Sequence, residues 1–116
     1  MARILKITDL VVVEPAFVPP LITAIPEGRT DVTLNGIEIV LEGQAFLPHQ
    51  KPIPDSPPLV HVPFALKSPS LRRLNITING RHVMTDEDLL TGSPGCINYD
   101  LTGKVTPTPP VDVFIG

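Results

Sequence analysis

Proline is the residue that most limits how this chain can fold. The 116 residues include 15 prolines. Because proline lacks a backbone N–H and fixes φ, this density excludes a helical bundle. The chain is nevertheless 42% hydrophobic, well above the level of a disordered segment, so we expect the prolines to shape a folded body. We therefore predict a mainly β protein that forms one domain over residues 1–116, with little or no helix.

The charge pattern and the apolar pattern exclude several classes of protein. The formal net charge is −3, with 9 basic and 12 acidic residues; because both signs are scattered along the chain, no basic patch for nucleic acid is visible. The longest apolar run, Leu10–Val13, is too short to span a bilayer. The first residues lack the features of a secretory signal, so we expect synthesis in the cytoplasm.

Two Asn-Gly dipeptides are the clearest local signals. Val32-Thr33-Leu34 and Ile37–Leu41 flank Asn35-Gly36, and a similar pattern recurs 44 residues later around Asn79-Gly80. Both central residues of a type I′ turn need positive φ, which Asn and Gly tolerate best. We predict two β-hairpins. Whether the two copies reflect an internal repeat or a chance recurrence is left open by two matches.

The segments between the hairpins are less regular. Arg3–Glu14 predicts a strand, buried on both faces at Leu10–Val13. Pro15–Thr30 holds four prolines and a glycine and is expected to be loop. Gln44–Ser70 carries seven prolines in 27 residues but also many large apolar residues, so we expect it to pack onto the hairpins rather than serve as a linker.

A short acidic segment follows the second hairpin. Thr85 is a good helix cap, and the acidic residues after it suit a first turn, so Thr85–Leu90 predicts one turn of helix. The acidic run Asp86–Asp88 is expected to be a solvated face.

The residues able to carry chemistry are few: His49, His61, His82 and Cys96, spaced 12, 21 and 14 residues apart. Three imidazoles and one thiolate form a closed structural zinc site with no position for water. Surface histidines and a small buried cysteine are the alternative. A cysteine hydrolase using Cys96 is less favoured, because the chain has no P-loop, G-x-S-x-G or paired carboxylate motif. We expect no enzymatic activity and no small-molecule substrate.

The hairpin sequences resemble a known family. Ile76-Thr77-Ile78-Asn79-Gly80-Arg81, with Val32–Gly36, is similar to the repeated hairpin of PAAR and PAAR-like proteins. The resemblance implies a small cone of about three hairpin units with Pro-rich loops, stapled by zinc held by three histidines and one cysteine. The metal ligands would be His49, His61, His82 and Cys96, and iron could replace zinc. A third Asn-Gly hairpin is missing, so Arg3–Glu14 or Val111–Ile115 would have to supply the third wall.

The resemblance also implies a structural role. Such a protein caps the trimeric central spike of a contractile injection machine, one tip per trimer, and sharpens it for piercing a membrane. The machine would be a phage tail, an extracellular contractile particle or a type VI secretion system. Leu10–Val13 and Phe114–Ile115 are candidates for the docking base, with plain core as the alternative. A second hypothesis is a metal-free, β-rich baseplate or capsid assembly protein whose arm Gln44–Ser70 wraps a neighbour.

Overall fold

The fold is built from very short strands. The computed structural model describes residues 2–12, 19–50, 60–66, 76–91, 99–110 and 113–115. Within these ranges there is no helix, and strands of two or three residues pair into small antiparallel sheets. The strands are β1 Ala2–Arg3, β2 Leu10–Val12, β3 Leu21–Ile22, β4 Thr33–Leu34, β5 Ile37–Glu38, β6 His49–Gln50, β7 Val60–His61, β8 Phe64–Leu66, β9 Thr77–Ile78, β10 Arg81–His82, β11 Leu89–Thr91, β12 Tyr99–Asp100, β13 Val105–Thr106 and β14 Phe114–Ile115. The prediction of a mainly β protein is confirmed.

Both predicted hairpins are present. β4 pairs with β5 around Asn35-Gly36, and β9 pairs with β10 around Asn79-Gly80. The φ angles are 49° and 83° in the first turn and 53° and 80° in the second. Two successive residues with positive φ are what a type I′ turn requires, so the prediction of both hairpins is confirmed.

A third hairpin unit exists, but its two strands come from distant parts of the chain. β1 pairs antiparallel with β14, with Ala2 opposite Ile115 and Arg3 opposite Phe114. Of the two segments that we expected as alternatives for this third unit, Val111–Ile115 contributes β14, whereas Arg3–Glu14 shares only Arg3 with β1. No Asn-Gly turn joins these strands, which is why the sequence shows only two hairpins.

Each hairpin unit leads into the same eight-residue backbone path. We call these paths repeat 1 (residues 4–11), repeat 2 (residues 39–46) and repeat 3 (residues 83–90). Each begins with an extended segment, turns at its fourth and fifth residues and ends in strand pairing. The repeats join through three antiparallel bridges: Ile4 with Thr85, Lys6 with Ile39, and Leu41 with Val83. Since every bridge joins the first residue of one repeat to the third residue of another, the three repeats close a pseudo-threefold ring.

The centre of this ring is a cycle of three backbone hydrogen bonds. The N–H of Leu5 donates to the carbonyl of Met84 (3.0 Å), that of Met84 to Val40 (3.0 Å), and that of Val40 back to Leu5 (2.9 Å). All three side chains are buried. Each bond joins segments far apart in sequence, so the ring fixes the three repeats relative to one another.

The turn of every repeat is closed in the same way. The side chain of the sixth residue accepts a hydrogen bond from the backbone N–H of the third: Asp9 from Lys6 (3.0 Å), Gln44 from Leu41 (3.0 Å) and Asp88 from Thr85 (2.9 Å). All six residues are buried. A buried N–H left without an acceptor costs about 1–3 kcal/mol, so an oxygen-bearing side chain is needed at this position.

Two expectations about the acidic segment are therefore wrong. Thr85–Leu90 forms a turn that leads into β11 rather than one turn of helix. Asp88 is buried, so the run Asp86–Asp88 is not a uniformly solvated face. The physical reason is that pairing of β11 with β8 and β12 satisfies the backbone after the turn, which leaves the carboxylate of Asp88 to satisfy Thr85.

The second half of each repeat pairs on both sides with other segments of the chain. We call each of these small sheets a wall. β2 lies between β13 and β3, and β11 lies between β12 and β8. In repeat 2, Ala45 bridges to Phe64 and Phe46 to Ala24. Val11 at the centre of β2 is fully buried, so this part of Leu10–Val13 is core and not a docking surface.

The irregular segments take part in these walls. β3 lies within Pro15–Thr30, which we expected to be loop throughout. The described parts of Gln44–Ser70 pair with β11 and with residues 23–25 of the same chain, as expected for packing. Gln44 also donates from its side-chain amide to Glu38 on β5, in the first Asn-Gly hairpin. Residues 51–59 and 67–70 of that segment lie outside the described residues.

The apolar residues form two clusters. The main core lies among the walls and consists of Leu5, Val11, Ile22, Ala24, Val40, Phe46, Ala65, Met84, Leu90, Tyr99 and Leu101. The smaller one, which we call the hairpin cluster, consists of Ile4, Ile39, Leu41 and Val83, with Leu34 and Ile78 packed against it. The first residue of each repeat faces the hairpin cluster and the second faces the main core, because successive side chains of extended backbone alternate.

The turn between β12 and β13 is closed by a carboxylate. The backbone N–H of Thr102 donates to Asp100 Oδ1 at 2.8 Å. This hydrogen bond, together with one from the Thr102 side chain, lowers the pKa of Asp100. Since the charged form is the better acceptor, the turn is tightest above the ordinary pKa of an aspartate.

The turn acceptors can be tested by removing one of them. Asp88→Ala leaves the buried Thr85 N–H without its acceptor, so we expect the free energy of unfolding to fall by about 1–3 kcal/mol. Gln44→Ala should cost a similar amount or more, since its side chain makes further hydrogen bonds. Urea denaturation provides the measurement, with the exposed Asp31→Ala as the control. Equal stability of Asp88→Ala and Asp31→Ala would contradict the assigned role.

Candidate functional site

Two of the four predicted metal ligands lie opposite each other. His49 on β6 is the direct antiparallel partner of His61 on β7. Directly opposed positions of an antiparallel pair share one face of the ribbon, with Cβ atoms about 5 Å apart. His49 is buried, with 2% of its surface exposed. The register therefore places two imidazole-bearing positions together although they are 12 residues apart in sequence.

The third predicted ligand, His82, lies on another pair of strands. It ends β10, and its Nδ1 lies 2.9 Å from Oε1 of Glu42, with the imidazole partly buried. A carboxylate on one imidazole nitrogen fixes the ring, as it does for many histidines that bind zinc through the other nitrogen. The contact thus suits a metal ligand, and it equally suits a structural ion pair.

The described residues do not bring the whole set together. Within these ranges, no three His, Cys, Asp or Glu side chains form a group that could hold a metal ion. Cys96 lies outside the described residues. The opposed positions of His49 and His61 are the part of the predicted ligand set that strand pairing brings together.

His82 also takes part in one of three equivalent backbone contacts between repeats, which we call seams. At each seam the fourth residue of one repeat donates its N–H to the carbonyl of the residue that precedes another repeat: Ile7 to Glu38 (3.0 Å), Glu42 to His82 (2.8 Å) and Asp86 to Arg3 (3.0 Å). Side chains strengthen two seams. Arg3 forms an ion pair with Asp86 at 3.2 Å, and His82 contacts Glu42. Ile7 carries no charge, so the third seam uses a different device.

At that third seam, the side chain of Glu38 binds the backbone of the preceding loop, residues 27–29. Its buried carboxylate accepts hydrogen bonds from three successive backbone N–H groups, those of Glu27 (2.9 Å), Gly28 (2.9 Å) and Arg29 (3.1 Å). Gly28 has φ +81°, which helps the three N–H groups converge on the carboxylate. The Arg29 guanidinium forms an ion pair with Glu38, and the Gln44 amide donates a hydrogen bond to it, each at 3.1 Å. The carboxylate is therefore both paired with a cation and hydrogen-bonded.

An exposed carboxylate links the same loop to the third repeat. Glu27 forms a bidentate contact with Arg81 at 2.8 and 3.1 Å and also pairs with Arg29. Arg81 donates from Nε to the carbonyl of Glu42 at 2.9 Å. The loop thus connects the hairpins that precede repeats 2 and 3.

Sequence reasoning missed the residues that build the threefold frame. The sixth position of each repeat, Asp9, Gln44 or Asp88, is polar and is followed by two apolar residues in all three copies. Each copy also begins with two apolar residues, but the spacing between copies changes from 35 to 44 residues because the repeats begin at Ile4, Ile39 and Val83.

Comparison with protein-family models, curated proteins and solved structures finds no match to this chain. Among the residues that the structure describes, no helix has the length and apolar character needed to cross a bilayer.

The role of Glu38 can be tested by removing its charge. Glu38→Gln keeps the size of the side chain but weakens charge-assisted hydrogen bonds to three amides, so we expect a loss of about 1.5–3 kcal/mol in the free energy of unfolding. The amides of residues 27–29 should exchange faster with solvent. Glu27→Gln, in the same network but partly exposed, is the matched control and should cost less than about 1 kcal/mol. Unchanged amide exchange in Glu38→Gln would contradict the assignment.

Proposed function

We propose that this protein is a structural tip, similar to PAAR proteins, that caps the trimeric central spike of a contractile injection machine and sharpens it for piercing a membrane. The machine would be a phage tail, an extracellular contractile particle or a type VI secretion system. One copy would sit on each trimer at the end of the assembled particle, after synthesis in the cytoplasm. The protein would act by its shape and stiffness, without enzymatic activity and without binding nucleic acid.

The observation that carries the proposal is the closed pseudo-threefold ring. The cycle of hydrogen bonds through Leu5, Val40 and Met84 gives one chain three similar sides. A single copy that binds on the axis of a homotrimer must offer each subunit a similar surface, and internal repetition is how one chain achieves this.

The network of long-range contacts supports a mechanical role. Every bridge and seam of the ring joins segments far apart in sequence, and β1 pairs with β14. Local opening is easiest where backbone groups depend on few and local contacts. Here, separating any one repeat breaks contacts with both others, so an axial load is shared by the whole ring.

A structural zinc is part of the proposal. Its ligands would be His49, His61, His82 and Cys96, with the opposed pair His49 and His61 as the part supported by the strand register. Bound zinc would supply cross-links between segments, and iron could take the same nitrogen ligands. The buried position of His49 suits a ligand that must be held away from water.

The alternative is a metal-free baseplate or capsid protein with a Pro-rich arm. The described parts of Gln44–Ser70 argue against an arm that wraps a neighbour. Ala45 bridges to Phe64 and β8 pairs with β11, so these parts are held within their own chain.

The stoichiometry of the complex tests the proposed function. We expect this protein, expressed together with the trimeric spike protein from the same genome, to form a complex of one copy with three spike chains, since the ring presents three similar sides to one axis. Native mass spectrometry measures this ratio directly. A ratio of three to three, or self-assembly without the spike, would favour the metal-free assembly protein.

Metal analysis tests the zinc part separately. We expect one equivalent of zinc per chain, lost in His61→Gln and in Cys96→Ser, with a fall in melting temperature, because a structural zinc contributes directly to folding free energy. Asp31→Asn should keep its metal. Elemental analysis also distinguishes iron from zinc. Natively purified protein without metal would overturn the zinc site, and loss in the first two variants but not in His82→Gln would remove His82 from the ligand set.

A further inference from the structure

The described surface carries several exposed large apolar residues, and three of them are related by the pseudo-threefold ring. Val32, Ile76 and Val113 are 39%, 45% and 36% exposed. Each lies immediately before the first strand of a hairpin unit, that is before β4, β9 and β14. The equivalence of the three residues is not visible in the order of the chain, because Val113 belongs to the hairpin unit that is formed by two distant strands.

Backbone contacts support the equivalence of two of the three. The carbonyl of Ile76 accepts a hydrogen bond from Val83, the first residue of repeat 3, at 3.0 Å. The carbonyl of Val113 accepts one from Ile4, the first residue of repeat 1, also at 3.0 Å. Val32 holds the same place directly before the first strand of its own hairpin. We call these three residues the apolar triad, because equivalent positions around one axis lie at the same level along it.

The apolar triad continues an apolar face of the hairpins. Residues two apart on an extended chain lie on the same face, so Val32 shares a face with Leu34, and Ile76 shares one with Ile78. Leu34 and Ile78 are only partly buried where they pack against the hairpin cluster. The hairpin cluster therefore has an incompletely covered apolar rim, and the triad lies on it.

The other exposed apolar residues do not keep apolar character on all three sides. Leu21, Ile25, Leu47 and Phe64 are exposed to a similar degree, 43%, 39%, 43% and 37%. Leu21 lies opposite Val12 and Phe64 opposite Thr91, the residues that directly follow repeats 1 and 3. The matching neighbour beside repeat 2 is the polar residue Thr23, whose carbonyl accepts a hydrogen bond from the N–H of Leu47. Leu21, Leu47 and Phe64, which we call the wall set, therefore do not offer a threefold partner three similar apolar contacts.

The molecule is large enough to form a specific interface with a threefold partner. Its principal extents are 42 × 28 × 25 Å, so even the smallest cross-section offers a face of about 550 Å². Covering that face would bury about 1,100 Å² over both partners, which reaches the roughly 1,000 Å² of specific interfaces.

We propose that the end of the molecule carrying Val32, Ile76 and Val113 is the docking base, and that its occupant is the threefold end of a homotrimer with one apolar contact site on each subunit. This inference rests on the proposed function and assigns the surface that the function needs. It replaces Leu10–Val13, in which Val11 is fully buried core and Leu10 and Val12 are partly buried. Phe114 follows Val113 directly, so its side chain lies on the opposite face of the strand, where the Arg3 guanidinium lies over its ring, 5.9 Å from the centroid.

The experiment compares two matched sets of substitutions. Val32→Lys, Ile76→Lys and Val113→Lys are made singly and together, and Leu21→Lys, Leu47→Lys and Phe64→Lys form the control set. Binding to the purified trimeric spike protein from the same genome is measured by calorimetry, and urea denaturation reports whether each variant is folded. We expect each single substitution in the apolar triad to weaken binding by about tenfold or more, to similar extents, and the combined variant to lose binding. The control set should bind within about twofold of the parent.

The outcomes separate the surface from the function. Binding that survives the combined triad substitution in a folded protein, or is lost only in the control set, would overturn the docking base while leaving the spike-tip function in place. A folded parent protein that does not bind the spike would overturn the function itself. If the combined variant is unfolded, the three single variants decide, because unequal effects with two of them near zero would contradict a threefold contact.

Discussion

The fold depends on the cycle of backbone hydrogen bonds that runs from Leu5 to Met84, from Met84 to Val40 and back to Leu5. Buried backbone groups must be paired, and here each of the three central segments is paired by the other two. The cycle has no free edge, unlike an open sheet of such short strands. Two-stranded ribbons are marginal alone in water, so strands of two or three residues persist here because the ring combines them.

The three repeats share the same backbone path and differ in the side chains that accept its turn hydrogen bonds. In repeat 1 the turn acceptor is Asp9, which also forms a buried ion pair with Lys6 at 3.0 Å. In repeat 2 it is Gln44, held by the network around Glu38, and in repeat 3 it is Asp88. A buried charge is costly unless it is compensated, and Asp9 is paired with Lys6 while Asp88 accepts hydrogen bonds from the backbone N–H and the hydroxyl of Thr85. Gln44 is a neutral amide. The repetition therefore lies in hydrogen-bonding geometry more than in residue identity.

This frame connects the proposed function with the proposed docking base. A pseudo-threefold chain presents similar backbone on three sides, while its side chains can differ from side to side. The apolar triad shows apolar character retained on all three sides, and the seams show the opposite, with an arginine, a histidine and a glutamate at equivalent positions. The metal proposal stands on a different observation, the register of His49 opposite His61, so the two ideas can fail independently.

The sequence by itself determined the β class and both type I′ hairpins, because proline density and the conformational freedom of Asn-Gly act locally. It also supplied the candidate ligands, but only strand pairing placed His49 against His61. Tertiary structure decided the rest. The third hairpin joins distant strands, and Asp88 belongs to a buried turn rather than to a helix because a backbone N–H and the pairing of β11 outweigh its local preference. Local propensity does not predict contacts between residues that lie 80 or more positions apart in the chain.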